Sequence, residues 1–76
     1  MSQKLIERIS RLDQLIRLKS TGTPKELANR LEISESTLYE TISMMKQLGA
    51  PINYDKLRKS YYYQAEGKIE IKFIKK

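Results

Sequence analysis

The spacing of hydrophobic residues changes at Pro51, and this change constrains the fold more than any other feature of the 76-residue chain. Before Pro51 the apolar residues recur every three or four positions, which is typical of amphipathic helices. After Pro51 apolar and aromatic residues stand at alternate positions, which is typical of strands with one buried face. The sequence therefore predicts an α+β fold in which three helices precede a small antiparallel sheet.

Residues that begin and end helices divide the first part of the chain. Gly22 is expected to end the first helix in a left-handed conformation, and Gly49 to end the third. Thr23 and Glu26 have the spacing of a capping box at the start of the second helix, and Ser34 is a candidate N-cap for the third. The predicted helices cover about residues 3–20, 24–32 and 35–48.

The part of the chain after Pro51 predicts three short strands joined by polar turns. The first connection, residues 55–59, is strongly basic, and the second contains Gly67 where a tight turn needs it. Alternation should direct Tyr61 and Tyr63 into the core and leave Tyr62 exposed. The predicted strands cover about residues 52–54, 60–64 and 69–74. With no linker or repeat, residues 1–76 are expected to form one domain.

Several classes of protein are excluded by composition. The chain has no cysteine, histidine or tryptophan, so it has no disulfide, thiol nucleophile or imidazole base and lacks the commonest metal ligands. Its apolar runs are too short for a transmembrane helix or a signal-peptide core. These features predict a soluble, cytoplasmic binding protein that is not an enzyme, with no metal and no cofactor.

Two segments, residues 23–28 (TPKELA) and 33–39 (ISESTLY), resemble winged helix-turn-helix domains of bacterial transcription regulators, of the deoxyribonucleoside-repressor and biotin-repressor type. The similarity extends over roughly residues 5–64. It implies a winged helix-turn-helix fold and binding to double-stranded DNA as a transcription regulator. In such domains the third helix lies in the major groove, and the hairpin that follows it, the wing, contacts the adjacent backbone.

The resemblance assigns candidate DNA contacts to this sequence. The residues expected to face base edges from the third helix are Ser36, Tyr39, Glu40 and Ser43. The residues expected to contact the DNA backbone are Thr37, Lys56, Arg58 and Lys59. Since a single unit reads only a half-site, a homodimer or a protein partner is a further expectation.

Four positions depart from the family pattern. Glu32 stands where many helix-turn-helix turns have glycine, so an altered turn is expected. Ser36 and Glu40 stand where arginine or lysine is frequent. Ser60 replaces the usual glycine of the wing, a change that is expected to be tolerated.

The distribution of charge leaves a second interpretation open. The chain has a net charge of +6, which favours a polyanionic partner. Residues 23–51 nevertheless contain three basic and four acidic residues, so the helix-turn-helix itself has a net charge of −1. The alternative is a winged-helix module whose acidic third helix binds a protein instead of DNA. On the first helix, the basic side chains are expected to form a solvated face and to pair with the nearby Glu7 and Asp13; they are those of Lys4, Arg8 and Arg11.

Overall fold

The computed structural model describes residues 3–69, which form three helices followed by a two-stranded antiparallel sheet. The elements are α1 (Gln3–Arg17), α2 (Pro24–Leu31), α3 (Glu35–Gln47), β1 (Ile52–Asp55) and β2 (Ser60–Tyr63). This order confirms the predicted α+β winged helix fold. The third predicted strand, about residues 69–74, lies outside the described residues except for Ile69.

Each element contributes apolar side chains to a single core. The stripe of α1 buries side chains at spacings of three and four residues, as the helical period requires. The small side chain of Ala28 on α2 is buried, and α2 is in contact with α3. The buried apolar residues are Ile9, Leu12, Ile16, Leu27, Ala28, Leu31, Leu38, Ile42, Met45, Ile52 and Tyr61.

The end of α1 differs from the sequence-based expectation. The helix ends at Arg17, and Lys19 takes the left-handed conformation that was expected of a glycine (φ 54°). The backbone N–H of Ser20 then donates to the carbonyl of Leu15 (N···O 3.3 Å), as in a helix-terminating motif. Gly22 is also left-handed (φ 78°), but it lies in the loop before α2.

The start of α2 confirms the predicted capping box. The Thr23 hydroxyl accepts a hydrogen bond from the Glu26 N–H (3.2 Å), and the Thr23 N–H donates to Glu26 Oε1 (3.1 Å). Hydrogen bonds from the Thr23 backbone and side chain lower the pKa of the Glu26 carboxyl, because they favour its charged form. Local sequence alone therefore specifies where α2 begins.

The turn between α2 and α3 contains no glycine. Glu32 itself adopts the left-handed conformation (φ 57°, ψ 43°), and its N–H donates to the Asn29 carbonyl (3.1 Å). The next N–H, of Ile33, donates to the Ala28 carbonyl (3.0 Å). Ser34 then caps α3 by accepting from the Thr37 N–H (3.1 Å). Glu32 therefore adopts a left-handed conformation that glycine adopts more readily.

In the sheet, Ile52 pairs with Tyr63 and Asp55 with Ser60. The Tyr61 ring is buried, and it meets the Tyr54 ring edge-on at a centroid distance of 4.9 Å. Tyr62 and Tyr63 are both half-buried. The expectation that Tyr62 would be exposed is therefore wrong, and Tyr62 lines a cleft together with Lys19 and Arg58.

A buried pair of hydroxyl residues, Thr21 and Ser60, joins the sheet to the helices. Their exposed fractions are 0% and 2%. The Thr21 N–H donates to Ser60 Oγ (3.1 Å), and the Tyr61 N–H donates to Thr21 Oγ1 (2.9 Å). The Ser60 hydroxyl donates to the Tyr61 carbonyl (2.9 Å). Ser60 is thus more than a tolerated replacement for glycine, since its side chain links the α1–α2 loop to β2.

Asp13 forms a second polar link between α1 and the sheet. Pairing with Arg8 and Arg11 was expected, but the Asp13 side chain is buried (4% exposed) and the arginine that it contacts is Arg17. Asp13 Oδ1 accepts from the Tyr63 hydroxyl (2.6 Å) and from the Ile69 N–H (3.1 Å), while Oδ2 accepts from Arg17 Nε (3.1 Å). Burial, together with the hydrogen bond to Asp13, raises the pKa of the Tyr63 hydroxyl.

We expect Ser60→Ala to lower the free energy of unfolding by about 1–3 kcal/mol, because it leaves the buried Thr21 N–H without its acceptor. Urea unfolding followed by circular dichroism measures the change. The matched control is Ser10→Ala on the exposed face of α1, which should stay within about 0.5 kcal/mol of the unsubstituted protein. Equal stability of all three proteins would contradict the structural role of Ser60.

We expect Glu32→Gly to raise the free energy of unfolding by about 0.5–1 kcal/mol, because glycine relieves the strain of a left-handed side-chain-bearing residue. The control Glu40→Gly introduces the same change inside α3, where glycine should lower stability by a similar amount. Thermal or urea unfolding gives the sign of both changes. Destabilisation by both substitutions would show that Glu32 is not strained.

Candidate nucleic-acid interface

The solvent-facing side of α3 contains the four residues predicted to face base edges. Ser36, Tyr39, Glu40 and Ser43 are all exposed, and the ring of Tyr39 is 52% exposed. The opposite side of the helix is buried through Leu38, Thr41, Ile42 and Met45. The helical period thus separates a core-facing apolar side from a polar side that is free to contact a partner.

Thr37, predicted to contact the DNA backbone, belongs to the N-terminal cap of α3. It is half-buried, and its hydroxyl accepts from the Ser34 hydroxyl (3.0 Å). Its carbonyl also accepts from the Thr41 hydroxyl (2.8 Å). These bonds hold the first turn of α3, and a contact between Thr37 and a phosphate remains a prediction.

The wing tip, defined here as residues 56–59, contains the three basic residues that were predicted to contact the backbone. Lys56, Arg58 and Lys59 are all exposed between β1 and β2. Arg58 Nε lies 3.9 Å from Asp55 Oδ2, with two thirds of its side chain exposed, so the pair adds little stability and leaves the cation available. The structure thus brings the three cations together in one turn.

Asp55 shapes this turn, a role that the sequence interpretation missed. Its Oδ1 accepts hydrogen bonds from the N–H groups of Leu57 (2.9 Å) and Arg58 (3.2 Å). Lys59 then takes a left-handed conformation (φ 53°), which returns the chain to β2. An aspartate followed by a polar loop is a recognisable signal for such a turn. The wing tip therefore has a defined backbone conformation.

Electrostatic interactions show that the sheet lies beside the helix-turn-helix. Burial raises the pKa of Tyr61 to about 12, and the neighbouring Tyr39, Tyr54 and Glu35 contribute further. Lys59 lowers the pKa of Glu26, after the larger effect of the hydrogen bonds from Thr23. The start of β2 therefore lies within electrostatic range of groups on the first turns of α2 and α3.

The interface is divided by charge. The first two turns of α3 carry Glu35 and Glu40, whereas the wing tip carries three cations and no acid. Within residues 3–69, no cluster of three or more acidic side chains is placed to hold a metal ion. No helix in the same region is long and apolar enough to cross a membrane.

The chain matches one protein family over most of its length. The family described as HTH domain matches the chain over residues 7–64, which include α2, α3 and both strands. Neither a search of curated proteins nor one of solved structures found a match. Since the family match covers most of the 76 residues and agrees with the fold, the chain belongs to the helix-turn-helix domain family of DNA-binding domains.

Proposed function

We propose that this protein is a sequence-specific, double-stranded DNA-binding protein that acts as a small transcription regulator in a bacterial cytoplasm. The observation that carries the proposal is the polar side of α3, whose four candidate residues are exposed and which is followed in the chain by a wing tip with three exposed cations. This arrangement supports binding rather than catalysis, because the chain contains no cysteine or histidine to act as nucleophile or base.

In the proposed complex α3 enters the major groove, which is about 12 Å wide and accepts one helix. The hydroxyls of Ser36 and Ser43 can donate hydrogen bonds to base edges or accept them, and Tyr39 has both a hydroxyl and an apolar ring. The Glu40 carboxylate can accept hydrogen bonds but cannot donate them, so its natural base partner is the N4 amino group of cytosine. The side chains of α3 would thus determine the preferred sequence.

Affinity for phosphate comes mainly from the wing in this proposal. Because α3 carries two glutamates near its start, it is repelled by the DNA backbone unless another element supplies attraction. Lys56, Arg58 and Lys59 supply that attraction, and Thr37 adds a hydroxyl at the start of α3. The wing therefore positions the domain and α3 selects the sequence.

A single domain of this size contacts one half-site, so we propose that full specificity requires a second copy or a protein partner. Two α3 helices related by a two-fold axis would read half-sites about one helical turn apart. Palindromic half-sites would accompany a homodimer, and a single half-site next to another factor's site would accompany a protein partner.

A second candidate function is favoured by one observation, the exposed acidic side chains of Glu35 and Glu40 on α3. These carboxylates would be attracted to a basic surface of a partner protein, so no cations on the wing would be needed to offset their repulsion from DNA. In that case the exposed side of α3 would bind a protein, and the domain would not bind duplex DNA. Binding to duplex DNA at low salt separates the two functions.

We expect the protein to bind generic duplex DNA with an affinity that falls steeply with salt, with a log–log slope of about −4 for four or five phosphate contacts. The triple variant Lys56→Gln/Arg58→Gln/Lys59→Gln should bind every duplex more weakly and reduce the slope by about two to three. Fluorescence anisotropy over a range of salt concentrations measures both quantities.

The control for this triple variant is Lys4→Gln/Arg8→Gln, which removes positive charge from α1 and should change the slope much less. If the salt slope decreases by the same amount per charge removed in both variants, the attraction is due to net charge. The wing would then not be the site of the phosphate contacts. If the unsubstituted protein binds no duplex even at low salt, the DNA-binding proposal fails and the protein-binding alternative is favoured.

We expect Tyr39→Ala to reduce sequence preference more than generic affinity, because Tyr39 faces base edges in the proposed complex. Selection from a random duplex pool gives the preferred site of the unsubstituted protein. On that site the variant should lose about 1–3 kcal/mol, with little loss on random duplex. Gln14→Ala on the exposed face of α1 is the control. Equal losses on both duplexes would contradict base readout by Tyr39.

A further inference from the structure

One apolar side chain on the described surface is unlike the others. Leu57 is 96% exposed, whereas Leu18, Tyr39 and Leu48, the other exposed large hydrophobic residues, keep about a third or more of their surface covered. It occupies the centre of the wing tip, between Lys56 and Arg58. Leu57 is thus an almost fully exposed apolar side chain between two cations. This combination suits a partner with anionic groups at its edge and an apolar surface between them.

The backbone of Leu57 is already held in one conformation. Asp55 Oδ1 accepts the Leu57 N–H at 2.9 Å and the following N–H at 3.2 Å. The turn is closed at its base by the pairing of Asp55 with Ser60, whose hydroxyl is buried against Thr21. A contact made by Leu57 therefore requires little further ordering of the chain, which favours binding.

The position of the wing tip indicates which surface of DNA Leu57 would meet. If α3 occupies the major groove, the neighbouring wing reaches the adjacent backbone and the minor groove beyond it. The cations of the wing tip are attracted to phosphates on both sides of that groove. The groove floor and sugars offer apolar surface, and leucine is among the side chains that proteins insert there.

We propose that Leu57 enters the minor groove beside the α3 site and contributes affinity that does not depend on charge. This inference rests on the proposed DNA-binding function and adds a second reading element to it. The wing then has two parts with different roles. The cations bring it to the backbone, and Leu57 responds to the width and composition of the groove.

The test compares Leu57→Ala with Leu48→Ala, which shortens another exposed leucine beside the last turn of α3. Loss of the Leu57 contact should weaken duplex binding by about tenfold at every salt concentration, since much of a leucine side chain loses its apolar contact. The salt slope should remain that of the unsubstituted protein, because no charge is removed. Leu48→Ala should change neither quantity.

A second pair of duplexes identifies the groove. Replacing guanine by inosine removes only the amino group that projects into the minor groove and leaves the major-groove edge intact. The unsubstituted protein should bind the inosine duplex severalfold more tightly than the guanine duplex, and Leu57→Ala should show no such difference. Replacing thymine by uracil, which removes a major-groove methyl group, should affect both proteins equally.

The outcomes separate this inference from the function on which it rests. Duplex binding with equal affinity for the unsubstituted protein and Leu57→Ala overturns the role of Leu57 and leaves DNA binding intact. A thymine-to-uracil effect that disappears in Leu57→Ala also overturns it, since Leu57 would then lie in the major groove. Absence of any duplex binding by the unsubstituted protein overturns both proposals. Thermal unfolding of the two leucine variants should match the unsubstituted protein, because both side chains are exposed.

Discussion

The position of the wing depends on the buried hydrogen bonds between Thr21 and Ser60. These residues are 39 positions apart in sequence, and each uses its hydroxyl to satisfy a backbone N–H of the opposite segment. An unpaired N–H at this depth would cost about 1–3 kcal/mol, so the bonds are strongly preferred over any arrangement that separates the two segments. Because Ser60 also begins β2, the same bonds fix the start of that strand against the loop between α1 and α2.

Asp13 holds the other end of β2. It accepts hydrogen bonds from Tyr63 and from the backbone of Ile69, so α1 is linked to the last residue of the strand and to the chain that follows. With Ser60 and Tyr63 both attached to the helices, a two-stranded sheet that would be marginal alone gains a defined orientation. The sheet and α3 then belong to one body, since Ile52 and Tyr61 share the core with Leu38 and Ile42.

Residues whose roles depend on local sequence were predicted well. The apolar stripes, the capping box at Thr23 and Glu26, and the alternating pattern after Pro51 each report the conformation of their own segment, and together they specify the α+β fold. Asp13 and Ser60 were misread because their partners are distant in sequence, and a buried polar residue has no periodic signature. Leu57 was overlooked for a different reason, since an exposed leucine contradicts no pattern until the turn around it is known.

The separation of charge between α3 and the wing gives these buried bonds a functional consequence. Since α3 carries Glu35 and Glu40, the attraction that would bring the domain to a polyanion originates on the wing tip rather than on the surface that would read the bases. Attraction of the wing tip to phosphates can guide α3 into the major groove only if the wing tip stays at a constant distance from α3. The neutral hydrogen bonds of Thr21 with Ser60 and the bonds of Asp13 with β2 maintain that distance. A substitution at either link should therefore impair recognition even where the charges of the wing and the side chains of α3 are unchanged.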